Sequence, residues 1–401
     1  MLDFDTAQEQ LARAGTPPAS QEICPLHAAT GRVLAQTLFA ALDLPPADNS
    51  AMDGYALRYA DAHTDRKLPV QHRTFAGEMP PPLTPGHTIR LFTGSLIPEG
   101  ADTVVMQEHG NEDNGQLTIT RMPEPGDHIR RRGEDVRKDE QLLVKGTLLG
   151  PGELALLASQ GYAEVPVYPR LKVGILTTGD ELVPVGRPRA EHHIYDSNGP
   201  MLASLVAGLG GRVSHVLHAL DTEASLREAF TTLLADCDLV LTVGGVSVGE
   251  KDLVKPTLET LGGTLDLWRV AMKPGKPVAL AHAQGKPVVC LPGNPVSAFV
   301  VFTVLVTPLI RTLQGRHTVF PPVARARLDT PRKLQEKREE FLRVQLQEDA
   351  QGERVLTPHG QQGSNIISAL PWAHGLARIP AGTPVDQGDL VRYYDLSHWL
   401  A

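Results

Sequence analysis

Cysteine is scarce in this chain, and the few cysteines present are far apart. Cys24, Cys237 and Cys290 form no CxxC pair within the 401 residues. This argues against a zinc or iron–sulfur site built on thiolates, and against a small disulfide-stapled domain. Isolated thiols are typical of a reducing compartment, so we expect a cytoplasmic protein.

An excess of basic residues is also missing. The chain has 38 Lys and Arg against 46 Asp and Glu, which gives a formal net charge of −8 and argues against a general nucleic-acid binder. The N-terminus, MLDFDTAQEQ, lacks the basic start and apolar core of a secretory signal. The longest apolar stretch, Val296–Ile310, is too short to span a bilayer and predicts a buried helix. We therefore expect neither a nucleic-acid nor a membrane partner.

What the chain does contain is typical of a multidomain globular protein. Hydrophobic residues make up 41% and charged residues 21%, and at roughly 100–200 residues per domain the length predicts two to four domains. Glycine (37) and proline (33) are abundant without any low-complexity run. This pattern indicates many turns and much β structure.

The strand and helix signals change along the chain and predict a division into four parts. Residues 45–138 carry short β-like runs, whereas the segments on either side resemble each other, which suggests an inserted β-rich domain. From 171 onwards strands alternate with helices, which predicts a doubly wound α/β domain with a parallel sheet and helices on both faces. The last segment fits a small β-barrel or sandwich. The predicted parts are 1–44 with 139–170, 45–138, 171–317 and 318–401.

Three polar loops follow strands of the predicted α/β domain. In such sheets ligands bind beyond the carboxyl ends of the strands, and glycines let backbone N–H groups approach an anion. No GxxxxGK[ST] is present, so the predicted phosphate site is not a P-loop. Taken singly, each loop is equally compatible with a tight turn. The candidate substrate-binding residues are Gly244, Gly245, Ser247, Gly249, Pro292, Asn294, Pro295 and Ser297.

Acidic side chains occur in the same loops. Carboxylates beside a phosphate suit Mg²⁺, which accepts one or two of them, or could orient a hydrolytic water. Glu181 and Asp252 are the predicted metal ligands, whereas Asp221 is equally compatible with an N-cap of the next helix.

Basic residues form two further candidate sites. The segment KPGKP presents Lys273 and Lys276 shortly after Arg269, a combination that suits a polyanionic ligand. In the β-rich part, the triple arginine at 130–132 is a candidate oxyanion clamp, and a solvated charged turn explains it equally well.

The motifs resemble those of a known family. In order, they read DNSAMDGYA, RRRGED, TTGDEL, IYDSNGPML, GGVSVGEKD, MKPGKP and LPGNPVSAF. Together they are similar to the molybdopterin molybdenumtransferases, which include MoeA and the E domain of gephyrin. The resemblance runs from about residue 5 to the C-terminus, and DNSAMDGYA with GGVSVGE is its most specific part.

The resemblance implies a fold, an assembly and a reaction. It implies a discontinuous linker domain, an inserted β domain, an α/β domain similar to molybdopterin adenylyltransferase, and a C-terminal β-barrel. It implies a homodimer whose active cleft lies between the α/β domain of one subunit and the β domain of the other. The expected substrates are molybdate and adenylylated molybdopterin, with AMP released and Mg²⁺ assisting. Molybdopterin adenylyltransferase is an expected partner.

The resemblance also implies site residues, carried over by motif. Glu181 and Asp252 are expected to bind Mg²⁺ or activate water, and Asp53 to act across the dimer cleft. Lys273 and Lys276 match contacts to the pterin phosphate. The expected catalytic residues are Asp53, Thr93, Asp135, Glu181, Asp221 and Asp252, and Arg269, Lys273, Lys276 and Ser364 join the substrate-binding set.

Two other functions remain open at this point. One is a nucleotide-pyrophosphate hydrolase on the same α/β scaffold. The other is a non-catalytic pterin carrier or scaffold, which would tolerate loss of the acidic residues. The acids at 53, 135, 181 and 252 favour an enzyme over a carrier.

Overall fold

The computed structural model describes residues 1–245, 253–349 and 351–401. The chain divides into two compact units. One consists of Met1–Gln36, Lys145–Pro151 and Glu164–Ala401, and the other of Thr37–Val144 and Gly152–Ala163. The four-part boundaries expected from the sequence stay a prediction.

Helix α1 (Phe4–Arg13) belongs to the larger unit. Asp3 caps it by accepting the backbone N–H of Thr6 at 2.9 Å. Its apolar side chains recur at helical spacing and are buried, so one face of the helix packs into the core. The side-chain amide of Gln8 donates to the backbone oxygen of Val304 at 2.6 Å and fixes the helix to a segment far along the chain.

Short strands and one helix lead up to the α/β part of the chain. β1 and β12 pair antiparallel, as do β2 and β11, so segments from before and after the insertion are hydrogen-bonded to each other. The elements are β1 (Glu22–Pro25), β2 (Leu38–Phe39), β3 (Asn49–Ser50), β4 (Gly54–Leu57), β5 (Leu68–Thr74), β6 (Thr88–Leu91), β7 (Thr103–Met106), β8 (Gly110–Asp113), β9 (Gln116–Ile119), β10 (Ile129–Arg130), β11 (Gln141–Leu143), α2 (Pro151–Ser159) and β12 (Glu164–Val167).

The smaller unit is built on a sheet in the order β7-β4-β6-β5-β9-β8. Side chains alternate between the two faces of a strand, and in β4 both faces are buried. Tyr55 and Leu57 belong to one apolar cluster, whereas Ala56 belongs to another. The unit therefore has its own core on each side of the sheet, as the predicted β-rich insertion requires.

The α/β part alternates strands and helices as predicted. Its core is formed by the nearly continuous apolar strands. The elements are β13 (Lys172–Thr178), β14 (Leu182–Val183), β15 (Ile194–Tyr195), α3 (Asn198–Gly208), β16 (Arg212–Ala219), α4 (Glu223–Asp236), β17 (Leu239–Val243), α5 (Val254–Thr260), β18 (Thr264–Trp268), β19 (Met272–Lys273), β20 (Ala279–Ala283), β21 (Lys286–Leu291), α6 (Pro295–Val301) and α7 (Thr307–Leu313).

The main sheet has the order β16-β13-β17-β21-β20-β18 and is mixed rather than wholly parallel. The first four strands are parallel, but β20 pairs antiparallel with both β21 and β18. The expectation of a parallel sheet is wrong for this edge because Gln284 and Gly285, both with positive φ, form a two-residue turn between β20 and β21. Such turns join antiparallel strands.

Helices α6 and α7 are joined by a π-helical turn (Phe302–Val306), so the helix is continuous from Pro295 to Leu313. Within the described residues this is the stretch long and apolar enough to cross a membrane, with a mean hydropathy of 2.0, and 94% of it is buried inside the fold. A helix that is hydrophobic all round is typical of a protein core. The prediction of a buried helix is confirmed, although the helix is longer than the apolar run.

The C-terminal strands form a closed β-barrel. β23 pairs with both β24 and β25, and the ring closes through β22 and β26. Arg378 donates two hydrogen bonds to Asp5, at 2.6 and 2.8 Å, and so links the barrel to α1. The elements are β22 (Ala324–Leu328), β23 (Glu339–Glu348), β24 (Arg354–Pro358), α8 (Ala369–Trp372), β25 (Gly375–Ile379), β26 (Leu390–Asp395) and α9 (Leu396–Trp399).

Candidate functional site

The predicted ligand loops meet at one edge of the α/β sheet. The parallel strands β13, β16, β17 and β21 all end there, in register. The backbone N–H of Gly179 donates to the Ala219 oxygen at 3.4 Å, and that of Gly244 donates to the Leu291 oxygen at 3.3 Å. The loops that follow these four strands are therefore neighbours, which is the arrangement that the sequence predicted.

Glycines are required in the loop after β17. Gly244 and Gly245 both have positive φ. A Cβ on Gly244 would lie 2.7 Å from the backbone oxygen of Thr178, and one on Gly245 would lie 2.5 Å from Cγ2 of Val254. Neither position admits a side chain without a shift of its neighbours. The loop therefore runs with its backbone close against the end of the sheet.

The loop after β13 holds the predicted acid Glu181. Gly179 has a φ of 144°, and a Cβ there would lie 2.5 Å from a carboxylate oxygen of Glu181. The missing side chain thus lets the Glu181 carboxylate fold back over its own turn. Glu181 is exposed to solvent at the edge of the sheet.

Asp221 stands beside this loop. Its backbone N–H donates to the Asp180 carboxylate at 3.1 Å, which joins the loops after β13 and β16. Thr222 is the N-cap of α4, since its hydroxyl accepts the backbone N–H of Ser225. The capping interpretation of Asp221 is therefore wrong, because its neighbour performs that role.

Asn198 is a residue that the sequence argument missed. Its side-chain nitrogen donates to the backbone oxygen of Gly293 at 2.8 Å, and among the described residues its buried Oδ1 has no hydrogen-bond partner. Asp196 holds the start of α3 by accepting the N–H groups of Asn198 and Gly199, each at 3.0 Å. The signal was present, because Asn198 lies within the IYDSNGPML motif that carried the resemblance.

The LPGNP loop connects the sheet edge to the barrel segment. The side chain of Asn294 donates to the Ser364 hydroxyl at 3.1 Å, so two predicted substrate-binding residues are in direct contact. Pro295 opens α6, where its missing N–H costs nothing. Pro292 and Ser297 are buried beside them.

The two lysines of the KPGKP segment have different surroundings. The Lys273 ammonium donates to Glu336 at 2.7 Å and lies 2.9 Å from Glu340. Burial opposes its charge, but the hydrogen bonds to both glutamates outweigh burial and raise the pKa of Lys273 above 10.5. Lys276 is exposed, and Arg269 precedes both with a positive φ. Sequence reasoning missed the two glutamates, which lie more than sixty positions away.

In the smaller unit, Asp53 and Thr93 are in contact. The backbone N–H and the hydroxyl of Thr93 both donate to one oxygen of Asp53, at 2.8 and 2.9 Å. Both bonds hold the pKa of Asp53 below its ordinary value of 3.8, and the bond from the backbone N–H has the larger effect. The structure therefore joins two predicted catalytic residues that are forty positions apart.

The triple arginine is partly neutralised by acids of the same unit. Arg131 donates to Asp48 at 2.7 Å, and the Arg132 side chain donates to Asp43 at 2.5 Å. The pKa of Asp48 is lowered, chiefly by the backbone N–H of Arg132. Asp135 is exposed. The candidate oxyanion clamp is thus a set of ion pairs in which two of the three guanidinium groups already have carboxylate partners.

Part of the predicted site lies outside the described residues. Ser247, Gly249 and Asp252 all belong to the segment 246–252. Across 1–245, 253–349 and 351–401, no group of three or more His, Cys, Asp or Glu side chains is arranged to hold a metal ion.

Comparison with known proteins identifies the family. Three family models match consecutive parts of the chain. They are the MoeA N-terminal region (domain I and II) over residues 2–161, a probable molybdopterin binding domain over 174–312, and the MoeA C-terminal region (domain IV) over 325–396. A molybdopterin molybdenumtransferase of Haemophilus influenzae is 41% identical over 374 residues, which cover 92% of each chain.

The chain belongs to the MoeA family. Another MoeA relative, molybdopterin molybdenumtransferase 2 of Mycobacterium tuberculosis, is 36% identical over 91% of this chain and 94% of its own. A crystal structure of the molybdopterin biosynthesis protein MoeA from Pyrococcus horikoshii superposes with a TM-score of 0.84. It is 29% identical and covers 98% of this chain and 99% of that one. The predicted family and fold class are thereby confirmed.

Proposed function

We propose that this chain is a molybdopterin molybdenumtransferase that acts in molybdenum cofactor biosynthesis. It inserts molybdate into adenylylated molybdopterin and releases AMP. The observation that carries the proposal is the near-full-length match to curated relatives of that name, at up to 41% identity. Neither a hydrolase nor a carrier is favoured, since the match includes the β-rich N-terminal region as well as the α/β scaffold.

The proposal assigns the phosphates of the substrate to the edge of the α/β sheet. The glycines of the loop after β17 bring backbone close to the ligand, and the exposed ammonium of Lys276 supplies positive charge. Asn294 and Ser364 add polar groups held by their mutual hydrogen bond. Cleavage of the phosphoanhydride by water gives AMP and the pterin monophosphate. The two dithiolene sulfurs then replace one oxo group of molybdate, which leaves as water with the two thiol protons.

The acidic residues are assigned to the cleavage step. Glu181, exposed beside the phosphate loops, is suited to orient water or a metal-bound ligand, with Asp252 as its expected counterpart. Among the described residues no group of three or more His, Cys, Asp or Glu side chains could hold a metal ion, so a bound Mg²⁺ would take Glu181, Asp252 and oxygens of the substrate phosphates as ligands.

The proposed enzyme is a homodimer in which Asp53 of one subunit serves the α/β domain of its partner. The Asp53 carboxylate keeps its charge through Thr93, yet the substrate loops belong to the other compact unit. Molybdopterin adenylyltransferase is the proposed source of the substrate, since the reaction consumes an adenylylated pterin, and the cytoplasm is the proposed location.

The test is AMP release from adenylylated molybdopterin, measured with and without molybdate and Mg²⁺. We expect molybdate-dependent release and a product that reconstitutes a cofactor-free molybdoenzyme. Glu181→Gln should lose activity, whereas Glu191→Gln, at an exposed acid ten positions away, should keep it. AMP release that ignores molybdate would favour the hydrolase, and pterin binding without AMP release would favour the carrier.

A further inference from the structure

A line of hydrogen bonds runs from the end of strand β13 to the loop that follows β21. The hydroxyl of Thr177, near the end of β13, donates to the Asp196 carboxylate at 3.0 Å. The other oxygen of that carboxylate accepts the backbone N–H groups of Asn198 and Gly199, each at 3.0 Å. The Asn198 side chain then donates to the backbone oxygen of Gly293 at 2.8 Å. Three segments that are far apart in the sequence are thereby joined at the sheet edge.

The start of this line is buried in the fold. Thr177 is 1% exposed and Asn198 is 6% exposed. A Cβ on Gly199 would lie 2.8 Å from the second carboxylate oxygen of Asp196, so the glycine lets that carboxylate approach the start of α3. The Asn198 amide is therefore held by the helix and by the sheet before any ligand binds.

The orientation of the Asn198 amide follows from its partner. A carbonyl oxygen only accepts hydrogen bonds, so the atom that faces Gly293 is the amide nitrogen. The amide oxygen is buried and, in the part of the chain that the structure describes, has no partner. An unpaired buried acceptor destabilises a fold. Stability alone therefore does not account for an amide at this position, and what it contributes is the bond from its nitrogen to Gly293.

The bond to Gly293 determines where the next backbone N–H points. The Gly293–Asn294 peptide is trans, and the C=O and N–H groups of a planar trans peptide point in opposite directions. Because the Gly293 carbonyl faces the buried Asn198, the Asn294 N–H faces the opposite side, where none of the described residues accepts its hydrogen bond. Both loop residues are exposed, and a Cβ on Gly293 would lie 4.0 Å from the Gly244 Cα. The N–H is thus presented beside the glycine loop that follows β17.

We propose that Asn198 is a positioning residue that aims the backbone N–H of Asn294 at a phosphate oxygen of the substrate. This rests on the proposed function, which assigns the substrate phosphates to this edge of the sheet. A backbone N–H that donates to an anionic oxygen makes a charge-assisted hydrogen bond, which is stronger than a neutral one. Asn198 is buried behind the loop and acts only through the Gly293–Asn294 peptide.

The direct test observes this peptide by nuclear magnetic resonance. Glycine labelled with ¹³C at the carbonyl and asparagine labelled with ¹⁵N give one signal for each Gly–Asn peptide, and the sequence contains two, Gly110–Asn111 and Gly293–Asn294. The probe is inorganic pyrophosphate, added to the full-length protein without molybdate. We expect it to shift the Gly293–Asn294 signal and to leave the Gly110–Asn111 signal, which belongs to the smaller unit, in place.

Two variants of Asn198 remove the donor. Asn198→Ala deletes the amide, and Asn198→Asp keeps its shape but places an acceptor beside the Gly293 carbonyl. In both, the Gly293 carbonyl carbon signal should move upfield because its hydrogen bond is lost, and pyrophosphate should shift the Asn294 signal less. The KM for adenylylated molybdopterin should rise about tenfold. The kcat should be unchanged, as expected for an interaction made equally in the ground and transition states.

Two threonine variants complete the test. Thr177→Val removes the hydroxyl that holds Asp196, so it should raise KM in the same direction but by less. Thr242→Val is the matched control, because the Thr242 hydroxyl is also buried in this sheet and has no partner among the described residues. It should change neither KM nor the pyrophosphate shift.

Three results would each overturn the proposal. These are a wild-type Gly293–Asn294 signal that ignores pyrophosphate, an equal pyrophosphate shift in Asn198→Ala, and a lower melting temperature with unchanged KM, which would assign Asn198 to stability alone. If the Asn198 variants do not fold, Thr177→Val is judged by the same readouts. Failure of the proposed function is separate, since it would leave the Asn198-dependent pyrophosphate shift without AMP release from adenylylated molybdopterin.

Discussion

Thr93 donates both its backbone N–H and its hydroxyl to the same carboxylate oxygen of Asp53. The two bonds stabilise the charged form of Asp53 and lower its pKa. They also fix the direction of the carboxylate. Thr93 therefore acts on Asp53 in two ways, through charge and through orientation.

Replacing Thr93 by Val removes the hydroxyl but keeps the backbone N–H. The pKa of Asp53 should then rise towards 3.8, and the acid limb of the pH–rate profile should move to higher pH. A lowered folded-state pKa contributes stability that is present above the unfolded value and is lost as pH falls through the folded value. Thr93→Val should therefore be less stable than wild type at neutral pH, and the difference should disappear in acid. Thr93→Ser, which retains the hydroxyl, is the control. A Val profile that matches the Ser profile would contradict the prediction.

We expect Lys273 to contribute to the stability of the fold and Lys276 to contribute to substrate binding. Lys273→Met leaves the buried Glu340 and the nearby Glu336 without their cation, and at this partial exposure we expect a loss of about 1–2 kcal/mol of unfolding free energy. Because the pKa of Lys273 is raised, this contribution is present below pH 10.5 and is lost as pH rises through the folded value.

Lys276→Met, at an exposed position, should leave the melting temperature unchanged and raise the KM for the phosphorylated substrate. Denaturant melts and steady-state kinetics on both variants check the pair of predictions. Equal stability losses in the two variants would refute the assignment of Lys273 to an ion pair with the barrel residues.

Because Asn294 and Ser364 are hydrogen-bonded to each other, the effects of replacing them on kcat/KM should be energetically coupled. Asn294→Ala and Ser364→Ala each remove the same hydrogen bond, so the double variant should lose less kcat/KM than the two single losses combined. The expected coupling is about 0.5–1.5 kcal/mol. Strict additivity would mean that the two side chains act independently in the reaction.

Gly245→Ala tests the close backbone approach at the sheet edge. The new Cβ would combine positive φ with an overlap at Val254, and we expect a loss of about 2–4 kcal/mol of unfolding free energy. Gly262→Ala is the matched control, because Gly262 also has positive φ but open space around it, and should lose only about 1–2 kcal/mol. Measured in a Val254→Ala background, the loss caused by Gly245→Ala should shrink to that of the control, because the overlapping methyl group is absent.

The action of Asp53 across a dimer can be tested by complementation. Asp53→Ala chains and Glu181→Ala chains should each be inactive, and a mixture with verified subunit exchange should regain part of the activity. Recovery is expected because one of the two sites in the mixed dimer contains both acids. A mixture without activity would exclude the trans arrangement.

The sequence predicted the elements whose signals are local. The strand KVGILTT and the helix TEASLREAFTTLLAD are continuous periodic patterns, and both lie where they were expected. The expected parallel direction of β20 is wrong because the two residues between the apolar runs, Gln284 and Gly285, form a tight turn that reverses the chain. The family could be predicted because seven motifs occur in a fixed order, whereas one short motif would not have been specific enough.

The site was predictable as a set of residues but not as a set of contacts. Motifs identified Asp53 and Thr93 separately, yet their hydrogen bonds depend on how β4 and the loop after β6 are brought together. The ion pairs of Lys273 could not be predicted, because Glu336 and Glu340 lie in the barrel segment and no local sequence pattern indicates pairs so far apart. Long-range pairing of this kind is decided by tertiary packing.

The hydrogen bond from Gln8 to Val304 joins positions 296 residues apart, and this separation has a consequence during synthesis. At about 5–20 residues per second, the packing surface of α1 leaves the ribosome roughly 15–60 seconds after the helix itself. In the sequence, the smaller unit comes between Gln8 and Val304 and has its own core. It can therefore finish folding before Val304 is synthesised. During this interval the apolar face of helix α1 is exposed to water, so we expect chaperones to bind this segment of the nascent chain.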